Sequence, residues 1–489
     1  MLSALAGLLP QLSDSAQAVF RLGYGLLLLC TLVLALRHGR RFFHSERWGG
    51  YGQSCLLVDA VQNPLCYPLV MSVWLACALL LMFGVESTWA ALLNALMCNY
   101  FFVRLRWKGV LRGMGAPGFM TWWVAVAVFL LEYTSHYARA LRPLALLLLQ
   151  ADFALIMVSS GVYKLTAGYA RNYGMELGLV NPQWGYWHRH YARLSPTNPI
   201  FWIDNQLAWS TEVVAGVLML IPGTRFLGAA LIFLSFAFIA TQIRLAVLTE
   251  MVMLCAVLFC DPASPGGRFF DAVGMPSSTC HPAAVPFALN VAVGAALAAY
   301  LVLLPLAHAG LFWNFYGGRS LWRPLQRALE AYTNFFGIII WRVFSADHTN
   351  FFIRIWTEAR HDPSDRLLLS DYDRFGSRFN HVGECIAITS VFTTLKYYPS
   401  NSALFTERLL RYARTIPCSG DRVLVFEYVS IRKTRAEFVQ VPVAEYEVDL
   451  KEGSVRESVV SEVVNVRSAH RFSPVREGTR PGSYVPLGS

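Results

Sequence analysis

The chain of 489 residues carries little charge, because only 15% of its residues are Asp, Glu, Lys or Arg while 55% are hydrophobic. Its mean hydropathy is +0.43. Soluble domains carry about 25% charged residues, so this composition excludes an ordinary soluble protein and indicates a polytopic membrane protein. The net charge of +10 comes from basic residues beside apolar runs, which is typical of topology signals and not of nucleic-acid binding.

The sequence also lacks the motifs of several enzyme classes. It contains no P-loop, no GxSxG elbow, no HExxH and no Gly-rich dinucleotide fingerprint. Its ten cysteines include no CxxC and no cluster with histidine at metal spacing, so they are expected to act as small hydrophobic residues and no metal site is predicted. The N-terminus has no basic n-region, and no signal peptide is predicted. The two halves of the membrane region show no symmetry, which disfavours a transporter.

The apolar runs predict a mainly α fold, with a transmembrane helical bundle of about nine spans over residues 1–308. Basic clusters follow the first and third predicted spans. Because two spans return the chain to the same side, both clusters are predicted to lie on the cytoplasmic side. The run over 226–259 is long enough for two short spans or for one span and an interfacial helix. The predicted spans are about Ala16–Leu36, Cys66–Gly84, Ser87–Val103, Phe119–Tyr133, Pro143–Lys164, Leu207–Ile221, two within 226–259, and Ala284–His308.

Residues 165–206 are rich in Trp, Tyr, His, Arg and Pro and are too polar to span a membrane. We interpret them as re-entrant or interfacial elements, where amphipathic aromatic side chains prefer to lie. They form either a lid over the bundle, with Trp184 and Trp187 facing a ligand, or a plain aromatic belt.

The chain changes character after the last span. Residues 309–345 predict an amphipathic connecting helix. Residues 346–467 have the patterns of a small soluble α+β domain, including a helix at 402–416 and a hairpin of strands at 421–433 and 436–450. The final residues, 468–489, have the composition of a disordered tail.

Lys164 ends an apolar run in which Asp152 is the only charge. An ammonium group there is costly unless it reaches the headgroups, finds a partner or loses its proton. Twelve residues of helix separate the two side chains by about 18 Å, so a partner for Lys164 must come from another segment. Two arrangements remain open: Glu250 faces Lys164, or Arg244 pairs with Glu212.

The same stretch carries a family resemblance through Gly161, Val162, Lys164, Leu165, Ala167, Tyr173 and Met175. These residues resemble the segment around the active-site lysine of vitamin K-dependent gamma-carboxylase and of its relatives, the bacterial HTTM (horizontally transferred transmembrane) proteins. The resemblance implies that Lys164 is the base that deprotonates a quinol cofactor similar to vitamin K hydroquinone, and that the substrate is a peptide or protein glutamate. It also implies a multi-pass protein of the bacterial cytoplasmic membrane, with membrane lipids as partners.

A histidine that many relatives have two spans before the lysine is absent here, where the chain reads Cys98, Asn99, Tyr100 and Phe101. His136, from the next span, is the candidate to replace it. The predicted catalytic residues are therefore Lys164 and His136. The predicted cofactor-binding residues are Tyr163, Trp184, Trp187, Glu212 and Arg244.

Two other functions stay open on the sequence alone. The first is a non-catalytic membrane scaffold that anchors a partner through its C-terminal domain. The second is a transporter, which only the intramembrane charges favour. Sidedness is also open, since nine spans place Lys164 on the cytoplasmic side while the carboxylase presents its site to the lumen.

Overall fold

A computed structural model describes residues 9–104, 115–280, 285–317, 321–336, 346–374 and 377–459. The predicted tail, 468–489, lies outside these ranges. The described chain is mostly helical and ends in an antiparallel sheet. The α-helices are α1 (Asp14–Leu36), α2 (Gly39–Phe43), α3 (Leu56–Val61), α4 (Cys66–Phe83), α5 (Ser87–Cys98), α6 (Gly115–His136), α7 (Arg142–Ala167), α8 (Met175–Val180), α9 (His188–Tyr191), α10 (Pro199–Leu220), α11 (Arg225–Gln242), α12 (Leu248–Cys255), α13 (Pro265–Val273), α14 (Phe287–Gly317), α15 (Arg323–Phe336), α16 (Ala346–Thr349), α17 (Val382–Tyr397) and α18 (Ser402–Ala413).

Six of the described helices are long and apolar enough to cross a membrane, namely α1, α4, α6, α7, α11 and α14. They indicate a membrane protein. The expected count of nine spans is not confirmed. Helix α5 is only 12 residues long, and the second half of the 226–259 run forms the short helix α12 followed by a 3₁₀ turn. Helix α10 is long enough, but Asp204, Asn205 and Glu212 make it less apolar.

Glycines let three helices approach one another closely. A Cβ added at Gly161 of α7 would lie 2.7 Å from the backbone oxygen of Trp209 in α10. A Cβ at Gly216 of α10 would lie 2.9 Å from the backbone oxygen of Ala154 in α7, and one at Gly228 of α11 would be equally crowded against α10. Close backbone approach through small residues is how membrane helices gain packing contacts. Helices α7 and α10 are therefore held at short range beside Lys164.

The C-terminal sheet contains β1 (Phe351–Ala359), β2 (Asp362–Leu368), β3 (Arg422–Lys433), β4 (Phe438–Asp449) and β5 (Ser454–Val459). Its strand order is β2-β1-β3-β4-β5, and every neighbouring pair is antiparallel. The predicted hairpin is confirmed as β3 and β4, and the predicted helix at 402–416 is confirmed as α18. Helices α17 and α18 cover one face, where Phe392 and Phe405 pack edge-on against Tyr446.

A buried ion pair attaches this sheet domain to the bundle. Arg41, just after α1, pairs with Glu384 at the start of α17. Tyr51 and Tyr412 donate hydrogen bonds of 2.9 and 3.1 Å to the other oxygen of that carboxylate. Burial raises the pKa of Glu384, and the guanidinium of Arg41 opposes that rise. Removing one partner of such a pair costs about 3–5 kcal/mol, so the pair is a strong link between domain and bundle.

Two histidines face each other beside this link. The ring centroids of His38 and His381 lie 5.6 Å apart. Burial, together with the positive charge of Arg41, lowers the pKa of each to about 4. Both rings are therefore neutral at pH 7 in the folded protein.

Acid should weaken this contact between pH 6.5 and 4. The unfolded chain binds protons on these histidines near pH 6.5 while the folded chain does not, so stability falls as the pH drops through this window. We expect the apparent unfolding midpoint of the purified protein to fall over that range, and to fall less in His381→Phe. The difference between the two pH profiles of the unfolding midpoint reports on His381, because Glu384 is present in both proteins. Identical pH profiles would contradict this prediction.

Candidate functional site

Lys164 is buried in the last turn of α7, with 5% of its surface exposed. The helix ends at Gly168, whose φ of 121° is a conformation that favours glycine. The Nζ atom of Lys164 donates a 2.5 Å hydrogen bond to Oε1 of Glu212 on α10. Lys164 thus does not reach towards the headgroups, and its partner comes from another segment, as the sequence predicted.

Glu212 is 2% exposed and lies on the buried face of α10. Phe201, Asn205 and Ala208 share that face, at the spacing of three or four residues that a helix brings together. The second oxygen of Glu212, Oε2, is buried and has no hydrogen-bond partner among the described residues. The site therefore offers an unused acceptor beside the lysine.

Tyr169 lies beyond the end of α7 and is completely buried. Burial raises its pKa well above the usual value, and the negative charges of Glu212 and Glu176 raise it further. A Cβ added at Gly174 would lie 2.3 Å from the Tyr169 ring, so the chain passes directly against this side chain. The phenol is thus held in its neutral form near two carboxylates.

A second buried ion pair completes the site. Glu176, fully buried at the start of α8, lies 2.7 Å from Nζ of Lys433, the last residue of β3. Asn205 donates a 2.7 Å hydrogen bond to Glu176. Lys433 also donates a 2.5 Å hydrogen bond to the backbone oxygen of Asn172. The sheet domain therefore contributes a cation to the segment that follows α7 and carries Tyr169.

This arrangement can move a proton within a buried pair. A Lys–Glu pair in a region of low dielectric can exist as ammonium and carboxylate or, after transfer of one proton, as amine and carboxylic acid. The short Nζ to Oε1 contact allows that exchange without movement of either helix. In the second form, Lys164 is a neutral amine that can act as a base.

Three of the predicted site residues lie together here, namely Lys164, Glu212 and Tyr163, which interacts electrostatically with Tyr169. The other predicted cofactor residues form a separate group. The backbone N–H of Arg244 donates a 2.8 Å hydrogen bond to the backbone oxygen of Trp184, and Trp187 donates its indole N–H to the backbone oxygen of Thr241.

Both pairings proposed from sequence are wrong. Glu212 pairs with Lys164, whereas Arg244 donates to the backbone oxygens of Pro182 and Tyr372 at 2.9 and 3.1 Å. Glu250 accepts a hydrogen bond from its neighbour Thr249 instead of facing the lysine. Backbone carbonyls can satisfy a guanidinium as well as a carboxylate can, which a charge count along the chain does not show.

The proposed cooperation of His136 with Lys164 is also wrong. His136 ends α6 and lies before the start of α7, whereas Lys164 is in the last turn of α7. The axis of α7 from Arg142 to Lys164 is about 33 Å long, so the two side chains lie at opposite ends of the bundle. His136 instead contacts Glu132 at 3.7 Å and Ser278 at 2.9 Å.

Tyr169, Glu176, Asn205 and Lys433 were missed by sequence reasoning. The helical spacing of Asn205 and Glu212 was a usable signal, because residues seven apart share a helix face. Nothing local marked Lys433, which reaches the site only through the docking of the sheet domain. Among the described residues, no group of three His, Cys, Asp or Glu side chains could hold a metal ion.

Comparison with known proteins gives no match. No family model matches the chain, and neither a curated protein nor a solved structure does so. The candidate site is therefore supported by its own geometry.

Removing the carboxylate of Glu212 should leave an unpaired buried ammonium group. We expect Glu212→Leu to lower the free energy of unfolding by about 3–5 kcal/mol, measured by denaturant titration in detergent. The double variant Lys164→Leu/Glu212→Leu should recover much of that loss because no charge is then left unpaired. As a control, Asp365→Ala breaks an exposed pair with Arg422 and should cost at most about 1 kcal/mol. Additive costs in the double variant would contradict the pairing.

Removing the ammonium of Lys433 should loosen the segment around Tyr169. In Lys433→Met the buried carboxylate of Glu176 loses its cation, and we expect amide exchange in residues 169–180 to quicken by roughly tenfold or more. Hydrogen–deuterium exchange read by mass spectrometry would measure it. Lys451→Met is the matched control, since Lys451 is exposed in the turn after β4. Equal exchange in both variants would show that Lys433 does not hold this segment.

Proposed function

We propose that the protein is an integral membrane enzyme in which Lys164 removes a proton from a lipid-soluble substrate. The supporting observation is the buried Lys164–Glu212 pair, at 2.5 Å, in which the second oxygen of Glu212 accepts no hydrogen bond from any residue that the structure describes. A catalytic lysine must be neutral to act as a base, and burial favours the neutral amine. In this proposal the ammonium passes its proton to Glu212, which leaves the amine free to accept another. The burial of both side chains keeps bulk water from the exchange.

The resemblance of the Gly161–Met175 segment gives this proposal its chemistry. It supports a carboxylase-like reaction with a quinol as the cofactor and a glutamate-containing peptide as the substrate. A quinol is supported by Oε2 of Glu212, which can accept a hydroxyl hydrogen bond, and by the buried rings of Tyr163 and Tyr169. A quinol, when bound, supplies an acidic hydroxyl group and reducing power. Glu212 would orient it and Lys164 would take its proton.

The C-terminal domain has a role in this proposal. The ion pair of Lys433 with Glu176 holds the segment that carries Tyr169. In this proposal the segment covers the lysine and limits the entry of water to it. The domain would thus form the cover of the active site and not an independent unit.

Activity in reconstituted membranes tests the proposal. We expect wild-type protein supplied with a reduced naphthoquinone, oxygen, labelled bicarbonate and a glutamate peptide to oxidise the quinol and label the peptide. Lys164→Met should abolish both signals, and Glu212→Gln should reduce them at least tenfold by removing the proton acceptor. His136→Gln, at the other end of the bundle, should retain them. Full activity in Lys164→Met, or none in the wild type, would overturn the proposal.

A membrane scaffold is a second candidate. The buried pair of Arg41 with Glu384 fixes the orientation of the sheet domain on the bundle, as an anchor for a partner would require. Under this alternative Lys164 serves only to pack α7 against α10. The full-length Lys164→Met variant would then retain its partner in affinity purification, and no quinol oxidation would be found in the wild type.

A further inference from the structure

The connection between α1 and α4, residues 37–65, exposes leucines that lie outside both spans. Leu56, at the start of α3, is 91% exposed, and Leu65, just before α4, is 89% exposed. Leu57 is exposed too, whereas Val58 of the same short helix is fully buried. The helix α3 therefore has an inner face that packs and an outer apolar face that is open.

The position of this connection indicates what covers its outer face. Helices α1 and α4 are both long and apolar enough to cross a membrane, so the chain between them lies where one end of the bundle meets water. Leu69, one helical turn after Leu65, is also exposed and lies within α4 itself. The exposed leucines thus continue the lipid-facing surface of a span.

Two arginines flank an exposed tryptophan in the same connection. Nε of Arg40 donates a 3.0 Å hydrogen bond to the backbone oxygen of Trp48, and the guanidinium carbon of Arg47 lies 5.5 Å from the centre of the Trp48 ring. Gly49 turns the chain here with a φ of 81°, and a Cβ added to it would lie 3.2 Å from the Arg40 guanidinium. The turn therefore gathers two cations at one indole.

The acids of the connection do not neutralise these two arginines. Glu46 pairs with Arg411 of the sheet domain at 2.6 Å. Asp59 accepts a 2.6 Å hydrogen bond from a serine hydroxyl and interacts with Arg47 only at longer range. Within the described parts of the chain, neither Arg40 nor Arg47 forms an ion pair with a carboxylate. Their positive charges are available to a partner outside the chain.

The inner side of the connection is fixed, so its outward side chains are held in place. Arg41 forms the buried pair with Glu384, and the ring of Tyr51 stacks on that of Tyr412 with centroids 5.8 Å apart. A surface that is already ordered loses little conformational freedom when it binds.

We propose that this connection binds an anionic phospholipid, with the headgroup phosphate against Arg40 and Arg47 and the leucines of α3 in the adjoining acyl layer. A guanidinium can donate two parallel hydrogen bonds to a phosphate, and an exposed tryptophan prefers the headgroup layer of a membrane. Basic residues at a membrane surface favour anionic over zwitterionic lipids. The inference does not depend on the proposed enzymatic reaction.

Lipid titration of the full-length protein in detergent, read by native mass spectrometry, tests the proposal. The two probes are phosphatidylglycerol and phosphatidylcholine with identical acyl chains, which differ in headgroup charge alone. We expect the wild type to bind phosphatidylglycerol about tenfold or more tightly. Arg40→Gln/Arg47→Gln should lose this preference because it removes both cations. Leu56→Ser/Leu57→Ser should weaken the binding of both lipids and keep the preference.

Lys451→Gln/Arg456→Gln is the matched control, because it removes the same number of positive charges from exposed side chains. The turn between β4 and β5 and the start of β5 carry these residues, at the end of the sheet opposite Lys433, which contacts the bundle. The control should bind phosphatidylglycerol as the wild type does.

Three outcomes would overturn the proposal. They are equal affinity of the wild type for the two lipids, an undiminished preference in Arg40→Gln/Arg47→Gln, and an equal loss in the control. A dimer that binds no lipid and that Leu56→Ser/Leu57→Ser separates would assign the surface to a second copy of the chain and would overturn it as well. The comparison of the two lipids on the wild type stands even if a variant fails to fold.

Discussion

A charge that is taken out of water needs a partner, and the Lys164–Glu212 pair shows how strongly this requirement shapes the bundle. The ammonium of α7 and the carboxylate of α10 meet at 2.5 Å, which requires the two helices to come close together. Gly161 and Gly216 make that approach possible because neither carries a Cβ. Packing and electrostatics thus depend on each other: without the glycines the charges could not meet, and without the pair the helices would bury an uncompensated ion.

The sheet domain extends the same principle across the boundary of the bundle. Arg41 of the bundle meets Glu384 of the domain, and Lys433 of the domain meets Glu176 in the segment after α7. Each unit therefore buries a charge whose partner belongs to the other. Such reciprocal pairs make the two units depend on each other, since separation would expose or orphan both charges. The pair of Lys433 with Glu176 also connects the segment that carries Tyr169 directly to strand β3 of the sheet.

The bundle satisfies its buried acids in three different ways. Glu132, near one end, receives hydrogen bonds from Gln17 at 3.0 Å and Ser278 at 2.6 Å and lies 3.6 Å from Arg21. Glu212, near the other end, has a full counter-ion. Asp152 between them accepts from the neutral donors Trp123 and Tyr300. A fully bonded carboxylate suits a structural role.

The sequence by itself determined the class of the protein, the helical bundle and the C-terminal hairpin, because hydrophobic runs and alternating strands are local patterns. It also identified Lys164, since one charge in an apolar run stands out without any neighbour in space. The partner of that lysine, the remoteness of His136 and the arrival of Lys433 were decided only by the tertiary structure. Helix register and domain docking set those contacts, and both arise from the packing of distant segments, which no local spacing of residues encodes.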